Sequence, residues 1–303
     1  MKKLNNFGNL KTNHSSKSKS IFLQNISRNW YKFSRSKLSI VGFVIATLIV
    51  LTAIFANVIV PYPEHVGAYV DFTNKHQPPS LQNIFGTDNV GRDIFSRVIY
   101  AYRSALFMVI VVIGLAAPVG IVLGLIAGYA YQTLLDKIIM RITDVFCGLP
   151  PFIMALAVAS VLKPSLLNAM IAISFTWWPT YARITYGMTT SMINEHFVVS
   201  AKLLGAKKTH IIFREILPNC LAPIFTRMAL EVGMVTIVGA SLSFVGLGEQ
   251  PPRPALGNMI SEGAKFLPQS WWMVFFPALA IIILIMGFNL LGDGLRDMLE
   301  GGR

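Results

Sequence analysis

Residues 104–130 read SALFMVIVVIGLAAPVGIVLGLIAGYA. An α-helix rises about 1.5 Å per residue, so about 20 apolar residues cross the roughly 30 Å of hydrocarbon in a bilayer. This stretch is longer than that. Five further apolar segments accompany it, at 39–61, 138–162, 166–188, 221–246 and 271–292. Lipid cannot satisfy the open edge of a sheet, and barrel strands would be short and alternating, so the segments read as helices. The expected fold is an all-α integral membrane protein with six transmembrane helices.

Composition agrees. The chain has 303 residues, 54% hydrophobic and 13% charged, against about 25% charged in a soluble domain. The formal net charge is +12, and its location decides its meaning. Residues 1–38 hold nine basic residues (Lys2, Lys3, Lys11, Lys17, Lys19, Arg28, Lys32, Arg35 and Lys37) and no Asp or Glu. A basic arm beside a long apolar segment reads as a membrane-facing tail, not a nucleic-acid site. Within it, Phe22, Ile26, Trp30 and Phe33 recur at helical spacing, which predicts an interfacial helix. The Lys-, Asn- and Ser-rich opening, 1–20, is expected to be disordered. The apolar run from Ser39 is too long for a signal h-region of roughly 7–15 residues and reads as a retained span.

Lys/Arg counts orient the spans. With the N-terminus inside, the inner side holds eighteen: the nine tail residues, Lys137, Arg141, Arg183, Lys202, Lys207, Lys208, Arg214, Arg296 and Arg303. The outer loops hold seven, namely Lys75, Arg92, Arg97, Arg103, Lys163, Arg253 and Lys265. The positive-inside rule therefore puts both termini in the cytoplasm; without the tail the sign stays the same, nine against seven. The resulting division is a tail at 1–38, a first span at 39–61, an outer loop at 62–103, five helices over 104–292 and a cytoplasmic tail at 293–303. Inside the spans, Gly120, Gly124 and Gly128 stand four apart and suit close helix packing, while Pro118 and Pro150–Pro151 are expected to kink or break their helices.

Catalytic chemistry is not visible. The nearest approach to a phosphate loop, Gly205-Ala206-Lys207-Lys208-Thr209, lacks the first glycine and the spacing. Neither H-E-x-x-H nor G-x-S-x-G occurs. The five histidines (His14, His65, His76, His196 and His210) fall in loops without ligand spacing, and Cys147 and Cys220 read as two buried thiols. No catalytic residue, metal site or bound cofactor is expected, so any work must be driven by ions or by a partner.

The stretch 189–219, on the cytoplasmic side, is too long for a turn and too polar for lipid. Asn194 is a suitable N-cap and Glu195 suits the first turn; Gly205 would stop the helix that follows. A helix this short, with apolar side chains facing water, is unstable alone and makes sense docked into a groove of another protein. A second, amphipathic segment, Ile211–Asn219, leads to Pro218 and the fifth span.

Val199-Ser200-Ala201-Lys202-Leu203-Leu204-Gly205-Ala206, followed by Leu217-Pro218, resembles the cytoplasmic loop of ABC importer permeases, which typically reads Glu-Ala-Ala, three residues, Gly, and ends in Leu-Pro. Val199 stands where that family carries its acidic residue. Gly86-Thr87-Asp88-Asn89-Val90-Gly91-Arg92-Asp93, and Ser241–Gly248 with Pro251-Pro252, resemble the dipeptide/oligopeptide/nickel importer permeases, specifically the subunit with a short outer loop after its first span. That resemblance implies the ABC type I importer permease fold and a non-catalytic subunit forming half of a translocation pathway. It also implies a second homologous permease, two ABC ATPase subunits that use ATP, and an extracytoplasmic binding protein. Peptides are the favoured substrate, with nickel or a metal–chelator complex as the alternative.

Ionisable residues near the spans are Arg141 with Asp144, three apart, and Arg227 with Glu231, four apart; each reads as a pair along one helix. Glu231 could instead face the pathway. In the outer motif, Arg92 and Asp93 read either as a dock for the binding protein or as a structural turn around Gly91. An ion-coupled carrier is the more distant alternative, but no repeat relates 39–162 to 166–292. A membrane-embedded enzyme would need converging nucleophile, base or metal ligands.

Overall fold

The computed structural model describes residues 33–34 and 36–300. Most of the proposed interfacial helix lies outside them. Phe33, at its end, is buried and packs edge-on against Phe43 with ring centroids 6.2 Å apart.

The described residues are helical, with only an isolated bridge between Thr87 and Asp93. The helices are α1 (Lys37–Ile54), α2 (Ala56–Ile59), α3 (Ile94–Tyr129), α4 (Leu134–Cys147), α5 (Pro151–Val161), α6 (Leu166–Met192), α7 (His196–Leu203), α8 (Lys208–His210), α9 (Leu217–Phe244), α10 (Leu256–Ala264) and α11 (Trp272–Glu300). Side-chain oxygens close several N-termini, as capping predicts. Ser36 accepts from Ser39 N, Asp93 from Ser96 N, Thr133 from Asp136 N and Ser165 from Asn168 N.

Four helices are long and apolar enough to cross a membrane, five if the bent α4–α5 pair counts as one span. The break expected at Pro150–Pro151 is present: the third segment, 138–162, is two helices bent by 90°. A residue before proline is pushed out of the α region, and Pro150, before Pro151, takes ψ 125° and ends the turn from which α5 starts. Pro118, by contrast, leaves α3 a single helix.

The fourth segment forms α6, at the expected place, but it is less apolar than a lipid-exposed span. The reason is its position: α3, α5 and α9 pack around it, and its buried positions include Ser174, Thr176, Thr185 and Thr189. Finally, α3 begins at Ile94, ten residues before the segment expected at 104, because Asp93 caps it there and Ile94, Val98 and Ala101 are buried. At the other end of the chain, α11 continues through the expected tail to Glu300.

The most extensive helix contact joins α3 to α6. It depends on the glycine stripe. A Cβ on Gly120 would stand 2.7 Å from Tyr181 Cβ; on Gly124, 2.9 Å from Thr185 Cβ; on Gly128, 2.6 Å from Thr189 Cβ. Without water to drive apolar surfaces together in lipid, helices associate largely through such close contact. The sequence-derived reason for the stripe is thus correct. Gly114, on the same helix, has nothing within 4 Å of its would-be Cβ. A second, smaller core joins Leu125 of α3 to Val198 of α7 and to Ile211, Ile216, Cys220 and Ile224. Cys147, unlike Cys220, is exposed, at the corner before the Pro150 break.

Gly124→Val is therefore expected to force α3 from α6 and to destabilise the fold by roughly 1–3 kcal/mol. Gly114→Ala is expected to be neutral or slightly stabilising, by up to about 1 kcal/mol, since only helix propensity changes. Thermal unfolding of the detergent-solubilised protein separates the two.

Candidate functional site

The stretch 189–219 folds as a compact hook on the end of the bundle. Its N-cap is Glu195, with φ −67° and ψ 149°, not Asn194, and its side chain makes no capping bond. The helix α7 is held by one side: Val198 is fully buried in the second core, and Ala201 and Ala206 pack against it. Lys202 turns back, its Nζ donating to Ile193 O at 3.2 Å and lying 5.7 Å from the centre of the Tyr129 ring.

Gly205 then ends the helix with φ +79°, a left-handed conformation that costs a residue with a Cβ. Gly205 N donates to Lys202 O and Ala206 N to Ala201 O, both at 3.0 Å. That is the Schellman pattern, which satisfies two terminal carbonyls. The chain resumes at α8, passes through a π-helical stretch, Ile211–Ile216, and runs without a break into α9. Pro218 stands directly after the π-helical stretch, within the continuous helix Lys208–Phe244. Leu217 is half-buried against the second core and Pro218 is exposed.

The outer side of the hook is apolar and uncovered. Leu203 is 83% exposed and Leu204 87%, while Phe197, Val199 and Ser200 are exposed beside them. His196 and His210 both lie in helices, not loops, and His210 Nε2 is 3.3 Å from Glu215 Oε1.

Within the bundle, Arg227 pairs with Glu231 as the spacing predicts, Nη2 to Oε1 at 2.5 Å. Glu231 also accepts from Trp177 Nε1 of α6. It is 3% exposed, so its carboxylate faces protein rather than a pathway. Tyr181, one turn below Trp177, has a buried hydroxyl with no hydrogen-bond partner among the described residues.

The other pair is a correction. Asp144 does not bond Arg141 three residues away; Arg183 of α6 reaches it at 2.5 Å, and Arg141 is exposed. The packing of α4 beside α6 supplies a cross-helix partner that sequence spacing cannot reveal.

The outer-loop motif is a knot that ties the loop to the ends of α3 and α10. Gly86 and Gly91 have φ +76° and +85°. Asp88 Oδ1 accepts from Val90 N at 3.0 Å and Arg92 N at 2.9 Å, and its Oδ2 from Arg92 Nε at 2.7 Å. Arg92 also reaches Glu262 of α10, Nη2 to Oε2 at 3.6 Å. Asp93 accepts from Asn83 Nδ2 at 2.9 Å, and its N–H donates to His65 Nδ1 at 2.9 Å. Arg97 Nη1 donates to His65 O at 3.2 Å and Pro252 O at 3.3 Å. Asp88, Arg92 and Asp93 are all buried. Asp88 and Arg92 bind each other, and the Asp93 carboxylate is held by Asn83 and Ser96 N, so all three side chains have partners within the turn around Gly91.

His65, Glu262 and Trp177 had no motif to mark them; they matter because the fold brings them to charged neighbours. Among the described residues no three His, Cys, Asp or Glu side chains are grouped to hold a metal ion.

Residues 120–302 match the family described as binding-protein-dependent transport system inner membrane component. The chain belongs to this family. Residues 26–79 match the N-terminal TM domain of oligopeptide transport permease C. Among curated relatives, the dipeptide transport system permease protein of Alkalihalophilus pseudofirmus is 40% identical over 269 residues, 89% of this chain and 87% of the relative. Its counterpart from Haemophilus influenzae is 36% identical over 282 residues, covering 89% and 92%. A glutathione transport system permease protein of Escherichia coli is 39% identical over 271 residues, covering 89% and 88%. The chain is thus a membrane-embedded permease subunit of an ABC importer and a non-catalytic one.

Two outcomes follow for the permease. Arg227→Ala strands a buried carboxylate and is expected to cost about 3 kcal/mol, while Arg227→Leu combined with Glu231→Leu recovers most of it; thermal unfolding checks both. In the outer loop, burial pushes His65 below the ordinary imidazole value, against the nearby carboxylates of Glu64, Asp93, Asp88 and Asp71, which raise it. A neutral His65 is what accepts from Asp93 N–H, so its contribution is complete above about pH 6.5 and is lost as pH falls below that value. Hydrogen-exchange protection over 62–97, taken relative to the intrinsic rate at each pH, is expected to fall on acidification, and less so in His65→Gln.

Proposed function

We propose that this permease subunit forms half of a translocation pathway for di- and oligopeptides and is driven through the 189–219 hook by ATPase partners. The observation that carries the reading is the asymmetry of α7. One side is locked to the bundle by Val198, while Leu203 and Leu204, 83% and 87% exposed, are presented to a cytoplasmic partner. Such a face gains stability only when covered.

The division of labour follows from the mechanics of the hook. Six spans cross the membrane, the α4–α5 pair and α6 included, with both termini cytoplasmic. A second homologous permease completes the pathway, two ABC ATPase subunits bind and hydrolyse ATP, and an extracytoplasmic binding protein delivers substrate. When the ATPases move, the hook moves with them. The π-helical stretch continues into α9 without a loop, so the displacement passes directly to a span rather than being absorbed by a flexible joint. The peptide assignment rests on relatives named for dipeptide transport. Nickel or a metal–chelator complex is the alternative substrate.

Leu203→Ala combined with Gly205→Pro tests the hook. Uncovering one leucine and breaking the left-handed turn removes roughly 1.5–3 kcal/mol of apolar burial at the dock, so co-purification of the ATPases is expected to fall at least ten-fold with normal membrane insertion. Unchanged association would end the docking reading. The substrate is read separately, by uptake in a strain lacking only this chain. Labelled di- and oligopeptide uptake is expected to be lost and nickel uptake, with or without chelator, to be kept; the reverse result would assign the chain to metal transport.

A further inference from the structure

An open groove of about 820 Å³ runs between α1, α3, α9 and α11, lined almost entirely by apolar side chains such as Ile54, Ile110, Val232 and Phe288. One charge stands at its mouth. Arg103 is exposed and, among the described residues, forms no hydrogen bond or ion pair. Residues 105–128 of the same helix contain no charged side chain, so Arg103 sits at the edge of the hydrocarbon, at the end of the bundle that carries the 62–93 loop. An arginine at that level lays its stem on apolar surface and holds its guanidinium among headgroups.

Gly114 provides the second observation. Its neighbours on the lipid side, Phe107, Ile110, Leu115 and Val119, are large and exposed, whereas a Cβ at Gly114 would meet nothing within 4 Å. The gap lies in the groove wall itself. From Arg103 to Pro118 the groove follows α3 for about 22 Å, longer than the roughly 15 Å of one leaflet's hydrocarbon.

We propose that this groove is a binding site for one anionic phospholipid, its phosphate on the Arg103 guanidinium and its acyl chains laid along α3 past Gly114. A guanidinium matches a phosphate in charge and in fork geometry. A helix from another subunit would need a carboxylate set at the same depth of an apolar span; a phospholipid brings its phosphate there as a matter of course. The inference requires only that the chain is embedded in a membrane, not that it carries peptides.

The test is native mass spectrometry of the complex purified from membranes, counting retained phosphatidylglycerol. Wild type is expected to keep one such lipid. Arg103→Gln is expected to lower retention about five-fold, from the loss of one cation at the membrane surface. Arg103→Lys should keep most of it. Gly114→Leu should displace the lipid without lowering the unfolding temperature, because the position is open. Equal retention in all four proteins overturns the site, as does equal retention of a zwitterionic lipid. Crosslinking of Ile110→Cys chiefly to a neighbouring subunit overturns it too and makes the groove an interface.

Discussion

Lipid offers the backbone no hydrogen-bond partner, and the rest of the structure follows from that constraint. It makes the spans helical. It also decides where charge can sit. Most ionised side chains lie at helix ends or in the knot around Asp88, where carboxylates and guanidiniums satisfy each other. Glu231 is buried inside the bundle, where Arg227 on its own helix pairs with it and Trp177 on α6 donates a hydrogen bond to it. The second bond crosses helices, so the need to satisfy one buried carboxylate also fixes α6 against α9.

The same solvent weakens the hydrophobic drive between helices, and close fit takes its place. The glycine stripe of α3 is the clearest case, because the backbone of α6 occupies the space where side chains would stand. The interface continues to the end of α3, where Leu125 enters the core that also holds Val198, Ile211 and Ile216. The hook on the cytoplasmic motif is therefore fastened to two helices of the bundle, α3 and α9, through a single apolar cluster. A packed cluster of this kind shifts as a unit and does not deform gradually, which suits a part that conveys motion.

Much of this was legible because it depends on local sequence. Apolar run length gave the helices, the four-residue glycine spacing gave a close-packing face on α3 though not its partner α6, and Pro150–Pro151 gave the break. Gly205 announced the end of α7, and the i, i+4 spacing announced Arg227–Glu231. What could not be read depends on neighbours far along the chain. Asp144 looked paired with Arg141 because both lie on one helix face, yet Arg183, 39 residues on, is its partner. The polar content of α6 made it a weaker span in composition because other helices, not lipid, surround it. The early start of α3 was hidden for the same reason: Arg97 looks too costly for a span until His65 O and Pro252 O are placed against it.

Val199 shows how far a motif can be carried. The family's loop has an acidic residue at this place, and a carboxylate there would draw a basic partner from a distance. Here the position is valine, half-exposed beside Phe197, Leu203 and Leu204. A dock made of these side chains gains by removing apolar area from water, an interaction that salt scarcely screens, whereas an exposed ion pair weakens as ionic strength rises. The geometry of the hook, set by Val198 and Gly205, survives the substitution because neither residue takes part in the lost charge. In this chain the loop therefore keeps a shape, an apolar face held outward by a buried valine and a left-handed glycine, with Val199 adding area where a carboxylate would add charge.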